Sequence, residues 1–155
     1  MLQHILATLA LLGLALLLGA TAYESVVLAP NYGRDVPESL NHARRFFART
    51  TPASYFRVVA PATLALLGAG LVACWRILPA RWGMLGGTAA LGISDMITFT
   101  FHYPRLALMF RSPPDTEPEL LRRASVQWAA GNLVRGALLT LAFLSVLWAV
   151  ITVSR

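Results

Sequence analysis

The segment QWAAGNLVRGALLTLAFLSVLWAV, residues Gln127–Val150, decides the fold class of this chain. It exceeds the roughly 20 apolar residues with which a helix crosses the hydrocarbon core of a bilayer. It nevertheless contains Asn132 and Arg135. Because an arginine at the centre of a spanning helix costs about 2.5–3.5 kcal/mol, we expect Arg135 to face polar partners inside a bundle rather than lipid.

The composition of the whole chain is that of a membrane protein. Hydrophobic residues make up 57% of the 155 positions and charged residues 13%, whereas soluble domains carry about 25% charged residues. All 13 basic residues are arginine, which excludes lysine chemistry such as a Schiff base. No basic stripe with interleaved aromatic residues is present, so we expect no nucleic-acid partner. The net charge of +6 suits the anionic headgroups of a lipid bilayer.

Four apolar segments predict an all-α integral membrane protein, a four-helix bundle in a single domain, residues 1–155. Each segment is close to the length that spans a bilayer as a helix. The fourth helix is expected to begin well before the membrane, at a capping box of Thr116 and Glu119 with Pro118 in the first turn. The predicted helices are 5–27, 58–78, 84–103 and 118–152.

The connections between these helices differ in character. The sequence PARWG, residues 79–83, predicts a tight hairpin, and Pro61 is expected in the first turn of the second helix. The first long connection contains a predicted amphipathic helix at 38–49, of the kind that lies in the membrane interface. Its apolar side is expected to carry Leu40, Ala43, Phe46 and Phe47, and its basic side Arg44, Arg45 and Arg49.

Processing and topology are predicted from charge. Ala20 and Ala22 resemble the A-x-A pattern of a signal-peptidase site, but no Arg or Lys precedes the first apolar segment, so we expect a retained helix. Most arginines lie in the two long connections. The positive-inside rule therefore predicts a multi-pass protein of the cell (inner) membrane, with the long connections in the cytoplasm and both termini on the opposite side.

The costly polar side chains are predicted to lie at one depth. At about 1.5 Å per residue, Arg135 lies roughly 13 Å from the long-connection boundary near Val126, and Asp95 roughly 12 Å from Tyr103. Glu24 belongs to a helix that ends on the same side. We therefore expect polar groups of three helices to meet in one half of the bundle, with Arg135 facing Glu24 or Asp95. The other half is almost purely apolar.

This depth predicts a polar intramembrane site for a lipophilic small molecule near the long connections. Within the third and fourth helices the polar residues repeat at i, i+3, i+7 and i, i+4, i+7, which keeps each set on one helical face. The candidate catalytic residues are His102, Asp95, Glu24, Arg135 and Asn132. The candidate substrate-binding residues are Tyr23, Thr98, Tyr103 and Trp128.

Each candidate also has a structural interpretation. An arginine–carboxylate pair can simply lock helices together, and Trp128 is typical of an interfacial belt as well as of an aromatic wall. Glu24, Asp95 and His102 are ligand types that iron, manganese or zinc accept, but neither HExxH nor ExxH is present. We therefore expect no cofactor and keep a metal as the weaker alternative. Cys74 excludes an intrachain disulfide and is expected to be a small packing residue.

The order of elements resembles a known family. TAYESVVLAP ends the first helix, an amphipathic segment comes next, an aromatic–proline pair ends the third helix, and QWAAGNLVR opens the fourth. Together these resemble the anthrone oxygenase-like family of small four-helix membrane proteins, many of which have no known function. The resemblance covers nearly the whole chain and is most specific at W-x-x-x-N-x-x-R, residues 128–135.

The resemblance implies a cofactor-independent oxygenase acting on an enolisable polycyclic phenol. A base, either His102 or one of the carboxylates Asp95 and Glu24, would remove a proton beside a carbonyl group. Arg135 and Asn132 would stabilise the enolate oxygen in a pocket of low dielectric constant. The electron-rich carbanion would then react directly with dioxygen.

Three classes of function are open on sequence alone. The protein is an oxygenase or related enzyme whose substrate enters from the bilayer, a non-catalytic accessory or lipid-binding protein, or a transporter component. A transporter of this size would require a homo-oligomer, because no inverted repeat or broken-helix pair is present. A closed-ended pocket containing Arg135 and His102 favours an enzyme or binder. Arg135 capped by a carboxylate with no adjoining void favours a structural lock.

Overall fold

The computed structural model describes residues 1–154, and this part of the chain is helical without strands. Four long helices are apolar enough to cross a membrane, and a short helix lies in the first long connection. The predicted all-α four-helix membrane bundle is therefore confirmed. The helices are α1 (Leu2–Gly33), α2 (Glu38–Phe46), α3 (Pro52–Ala73), α4 (Leu78–Arg111) and α5 (Pro118–Val153).

One half of the bundle is held together by an apolar core. α1 packs against α3 and α5, and α4 packs against α5 along much of its length. The core contains Leu14, Leu67, Leu139 and Val146, all of them buried, and Cys74 lies in the same cluster as the expected packing residue. This half is the almost purely apolar half that the sequence predicts.

The other half of the molecule is a cap formed by the long connections. α1 and α4 continue to Gly33 and Arg111, beyond their predicted ends near residues 27 and 103. These extensions pack with α2 and the first turns of α5 around a second core. Its buried members are Ala29, Tyr32, Leu40, Met109, Leu121, Ala124 and Trp128.

The orientation of α2 differs in part from the prediction. Leu40 is fully buried in the cap, but Phe46 is 81% exposed. At about 100° per residue, Phe46 lies about 240° around the helix from Leu40, so the two cannot share a face. Arg44 lies on the Leu40 side instead, where its Nε donates to Met109 O (2.9 Å) and its Nη2 to Ser112 Oγ (2.9 Å). Docking on the end of α4 thus sets the rotation of α2.

The predicted positions of two prolines and one hairpin are wrong. The chain turns at residues 74–77, so PARWG belongs to the start of α4, where Pro79 is tolerated because first-turn N–H groups need no helical partner. Pro61 lies inside α3, which begins at Pro52 rather than near Val58. The apolar run therefore marks the part of α3 that faces lipid and not the start of the helix.

The predicted capping box at α5 is also wrong. The helix begins at Pro118 as expected, but Thr116 Oγ1 donates to Pro113 O (2.7 Å) and does not cap it. Glu119 instead accepts hydrogen bonds from Arg122 and Arg123 at 2.8 to 2.9 Å. Its carboxylate therefore binds arginines one turn further along the helix and not the backbone N–H groups at the helix N-terminus.

Close packing of α4 against α5 depends on Gly83. A Cβ atom at this position would lie 2.5 Å from Ser145 O and 2.9 Å from Ala149 Cβ. We expect Gly83→Ala to lower the free energy of unfolding by about 1–3 kcal/mol, because the backbone of α5 must move. Thermal unfolding in one detergent measures this effect. The control is Gly92→Ala on the same helix, which has open space around its Cβ position and should not be destabilised; equal losses in both variants would contradict the packing argument.

Candidate functional site

Two π-helical turns lie in α1 and α4 at the cap end of the bundle. They cover Glu24–Leu28 and Thr98–His102, and each ends two residues before a proline. A proline removes a backbone donor and its ring collides with the carbonyl four residues earlier, whereas a π turn widens the helix by one residue. Both helices therefore pass through their prolines into the cap. Glu24 opens one π turn and His102 closes the other, so these turns help to set the directions of two candidate side chains.

Inside the bundle Arg135 belongs to a closed triangle of three polar side chains. Arg135 Nη1 donates to Asn132 Oδ1 (3.1 Å), and Asn132 Nδ2 donates to Glu24 Oε2 (3.3 Å). Arg135 Nη1 lies 3.7 Å from the same Glu24 oxygen. All three residues are buried. Of the two carboxylates expected as partners of Arg135, the structure selects Glu24.

The guanidinium of Arg135 can make further interactions beyond the triangle. Its Cζ lies 5.0 Å from the centre of the Phe56 ring, so an aromatic face covers it. Its Nε is buried and has no hydrogen-bond partner among residues 1–154. The triangle thus holds Arg135 through Nη1 and leaves its Nε–H without a partner.

His102 is a buried base held against α5. It is 1% exposed, and neither ring nitrogen makes a hydrogen bond within the described chain. Its ring meets Trp128 edge-on at a centroid distance of 6.3 Å. The imidazole approaches α5 at Gly131, where a Cβ atom would lie 3.0 Å from its Nε2. Glycine at this position therefore allows the imidazole to approach α5 so closely.

A cavity of about 620 Å³ connects these groups. Its volume lies within the roughly 300–1,000 Å³ typical of small-molecule pockets. Glu24, His102 and Arg135 line it from three helices. Of the predicted substrate-binding residues, Thr98, Tyr103 and Trp128 line it as well. Trp128 is 2% exposed, so it forms an interior aromatic wall and not an interfacial belt.

Three candidate residues lie outside this cavity. Asn132 is fully buried behind it, with its amide engaged by Glu24 and Arg135, so it positions these groups. Asp95 is half-buried and neither lines the cavity nor pairs with Arg135. Tyr23 is 57% exposed and lines a neighbouring cavity of about 480 Å³ that also includes Glu24.

The metal alternative receives no support from the geometry. Within residues 1–154, His, Cys, Asp and Glu side chains do not gather in any group of three or more that could hold a metal ion. Glu24, Asp95 and His102 in particular are not brought together, because Glu24 turns toward α5 while Asp95 stays outside the cavity. The groups that do meet are a carboxylate, an amide, a guanidinium and an imidazole.

Several residues of the site were not identified from the sequence. Tyr32 and Phe56 lie in the predicted first long connection and Gly131 in an apolar helix, and only packing shows that they surround the polar groups. Arg57 and Arg111 also line the cavity, although charge counting assigned them simply to the long connections. A signal existed for Gly131 alone, since a glycine one residue before Asn132 permits close helix approach.

Comparison with protein-family models, curated proteins and solved structures finds no match for this chain. The resemblance to the anthrone oxygenase-like family stays a prediction. The chemistry of the site must therefore be argued from its own residues.

Proposed function

We propose that this protein is a cofactor-independent oxygenase that takes an enolisable, lipophilic molecule into the cavity beside Arg135. The proposal rests chiefly on His102, an imidazole with two unused nitrogens that lines the same cavity as the guanidinium of Arg135. A base and a fixed cation in one apolar chamber are what proton removal beside a carbonyl group requires. The family resemblance points to the same chemistry.

The proposed reaction converts a CH₂ group that is conjugated with a ketone through aromatic rings into a second carbonyl group. His102 accepts a proton from this carbon, and the electron pair moves to the ketone oxygen, where Arg135 stabilises the enolate. The enolate transfers an electron to dioxygen, and recombination forms a carbon–oxygen bond to a peroxide. Loss of the second hydrogen from that carbon breaks the O–O bond. One dioxygen thus gives one carbonyl oxygen and one water, and the substrate loses its two hydrogens.

The roles of the other polar residues are set by their positions. Glu24 and Asn132 hold Arg135 so that its charge faces the chamber without reorganisation during the reaction. Trp128 supplies a flat wall for a polycyclic body. Asp95 has no part in this mechanism, which is a change from the set of bases expected from the sequence.

The membrane topology belongs to the same proposal. The four apolar helices are compatible with a multi-pass protein in contact with lipid. We place it in the cell (inner) membrane with the cap in the cytoplasm, because the arginine-rich connections lie there under the positive-inside rule. The substrate then enters near the cytoplasmic interface. The apolar core of the opposite half argues against a transport path.

A second candidate is a non-catalytic lipid-binding or accessory protein. The observation that favours it is the closed triangle of Glu24, Asn132 and Arg135, in which each charge already has a partner. Such a triangle can lock α1 to α5 without chemistry. The cavity beside it would then hold a lipophilic ligand without converting it.

The test is oxygen incorporation by the purified protein in nanodiscs. Anthrone, a lipophilic ketone with an activated CH₂ group, is supplied under ¹⁸O₂, and labelled quinone is quantified by mass spectrometry against empty nanodiscs. We expect Ala53→Trp, which fills the cavity wall, to lower the rate at least about tenfold by displacing the substrate. Ala62→Trp, at an exposed position of the same helix, is the matched control. A wild-type rate equal to empty nanodiscs would contradict an anthrone-type oxygenase.

A further inference from the structure

Two exposed arginines that lack partners line the cavity. Arg57 lies in the second turn of α3 and Arg111 at the end of α4, and both are exposed and line the cavity. Neither forms an ion pair or a side-chain hydrogen bond within residues 1–154, whereas Arg44 and Arg122 are engaged by neighbours. Two exposed guanidiniums from different helices therefore line one cavity.

The charges of the cavity do not balance. Its acidic residue is Glu24, which is already paired with Arg135 in the interior. The two exposed arginines of the cavity are consequently left with uncompensated positive charge. Aromatic side chains form part of the wall, with Phe47, Phe56, Phe110 and Trp128 among them.

We propose that the molecule bound in this cavity is an anionic amphiphile. Its apolar body fills the aromatic chamber, and its carboxylate or phosphate is bound by the exposed guanidiniums of Arg57 and Arg111. Guanidinium groups bind such anions through paired, charge-assisted hydrogen bonds, and the exposure of both arginines leaves the anion partly hydrated. This inference rests on the proposed function in one respect only, that the cavity binds a lipophilic molecule.

The test uses two probes of nearly equal shape. The protein in detergent is titrated with 2-anthracenecarboxylate and, separately, with the neutral 2-anthracenecarboxamide, and the retained one-to-one complex is measured by native mass spectrometry under anaerobic conditions. We expect the carboxylate to bind at least about tenfold more tightly than the amide. In the double variant R57Q/R111Q this preference should disappear while binding of the amide is retained.

The matched control removes the same charge from the first long connection. Arg45 and Arg49 are exposed and lie outside both cavities, so R45Q/R49Q should keep the preference for the carboxylate. Loss of the preference in both double variants would show a general surface potential and overturn the proposal. Equal binding of the two probes to the wild type would overturn it while leaving the oxygenase proposal intact. Binding of neither probe would overturn both.

The anion could belong to a free metabolite or to a membrane lipid, and a second arm separates these sources. The protein is reconstituted in phosphatidylcholine nanodiscs with and without phosphatidylglycerol, and retained lipid is measured by native mass spectrometry. Phosphatidylglycerol bound by the wild type and lost in R57Q/R111Q identifies a lipid headgroup. Carboxylate binding without retained phosphatidylglycerol identifies a free amphiphile. Both results support an anion bound by these arginines.

Discussion

Replacing Arg135 with leucine is expected to destabilise the folded bundle by about 3–5 kcal/mol, because it leaves a buried carboxylate without its partner. Glu24 is 7% exposed and has Arg135 as its counter-ion at 3.7 Å. The amide of Asn132 alone would remain beside it, at 3.3 Å. The free energy of unfolding, measured by reversible denaturation in mixed micelles, reports this change.

A double variant distinguishes a lost partner from lost packing. In R135L/E24Q no unpaired charge remains, so most of the lost stability should return. Arg122→Leu is the control for removing an arginine, since its exposed pair with Glu119 should contribute less than about 1 kcal/mol. Stability of Arg135→Leu equal to that of the wild type would show that the triangle does not hold the helices together. A double variant as unstable as the single one would assign the loss to packing.

Replacing His102 is expected to remove oxygenase activity while the protein remains folded. General-base catalysis by a positioned side chain typically contributes about 10²–10⁴-fold, and His102 is the base that lines the cavity without a hydrogen-bond partner within residues 1–154. We therefore expect His102→Gln to lower the rate of labelled quinone formation by at least about 100-fold. Helical content and thermal unfolding, measured in the same preparation, check the fold.

Two further variants make this result interpretable. His102→Phe keeps a ring of similar size against Gly131 and Trp128 without a nitrogen base, so it should be equally inactive and still bind the neutral anthracene probe. His42→Gln changes an exposed histidine of α2 and should leave the rate unaltered. A rate for both His102 variants within about threefold of the wild type would exclude His102 as the base. The lipid-binding alternative would then be favoured.

These two predictions separate the proposed enzyme from the structural lock. The triangle at Arg135 is expected to affect stability in either case, because a buried charge needs a partner whatever the protein does. Only an enzyme requires His102 as a base. Loss of stability at Arg135 combined with no effect at His102 would therefore identify a locked bundle with a passive ligand chamber.

Parts of the site could be predicted because depth and helical spacing are direct consequences of residue order. The spacing of Asn132 and Arg135 places them on one face of α5, and the short distance of Glu24 from the end of the first apolar segment places it at a similar depth. The choice between Glu24 and Asp95 as the partner could not be made from sequence. It depends on how helices α1 and α4 are rotated about their axes, and each π turn shifts that rotation by one inserted residue.

Other errors arose where local signals compete with tertiary packing. Pro30 and Pro104 predict helix ends, but α1 and α4 continue because π turns absorb the prolines and the cap buries part of each helix beyond its proline. Hydrophobicity predicts Phe46 on the apolar side of α2 with Leu40, although its angle around the helix separates the two and leaves Phe46 exposed. Tryptophan is common in interfacial belts, but Trp128 lies inside the molecule because α2 and the extensions of α1 and α4 cover it.

Residue order alone predicts an all-α membrane bundle with its ionisable groups near one end. Hydrophobic runs and the cost of burying charge suffice for that conclusion, because both act on each segment separately. Only the tertiary structure decided that the long connections fold into a cap, that Arg135 pairs with Glu24, and that a chamber lies between His102 and the arginines of α3 and α4. These features depend on how each helix is rotated about its axis and on how closely the helices approach one another. Both are set by contacts between side chains that are distant in sequence.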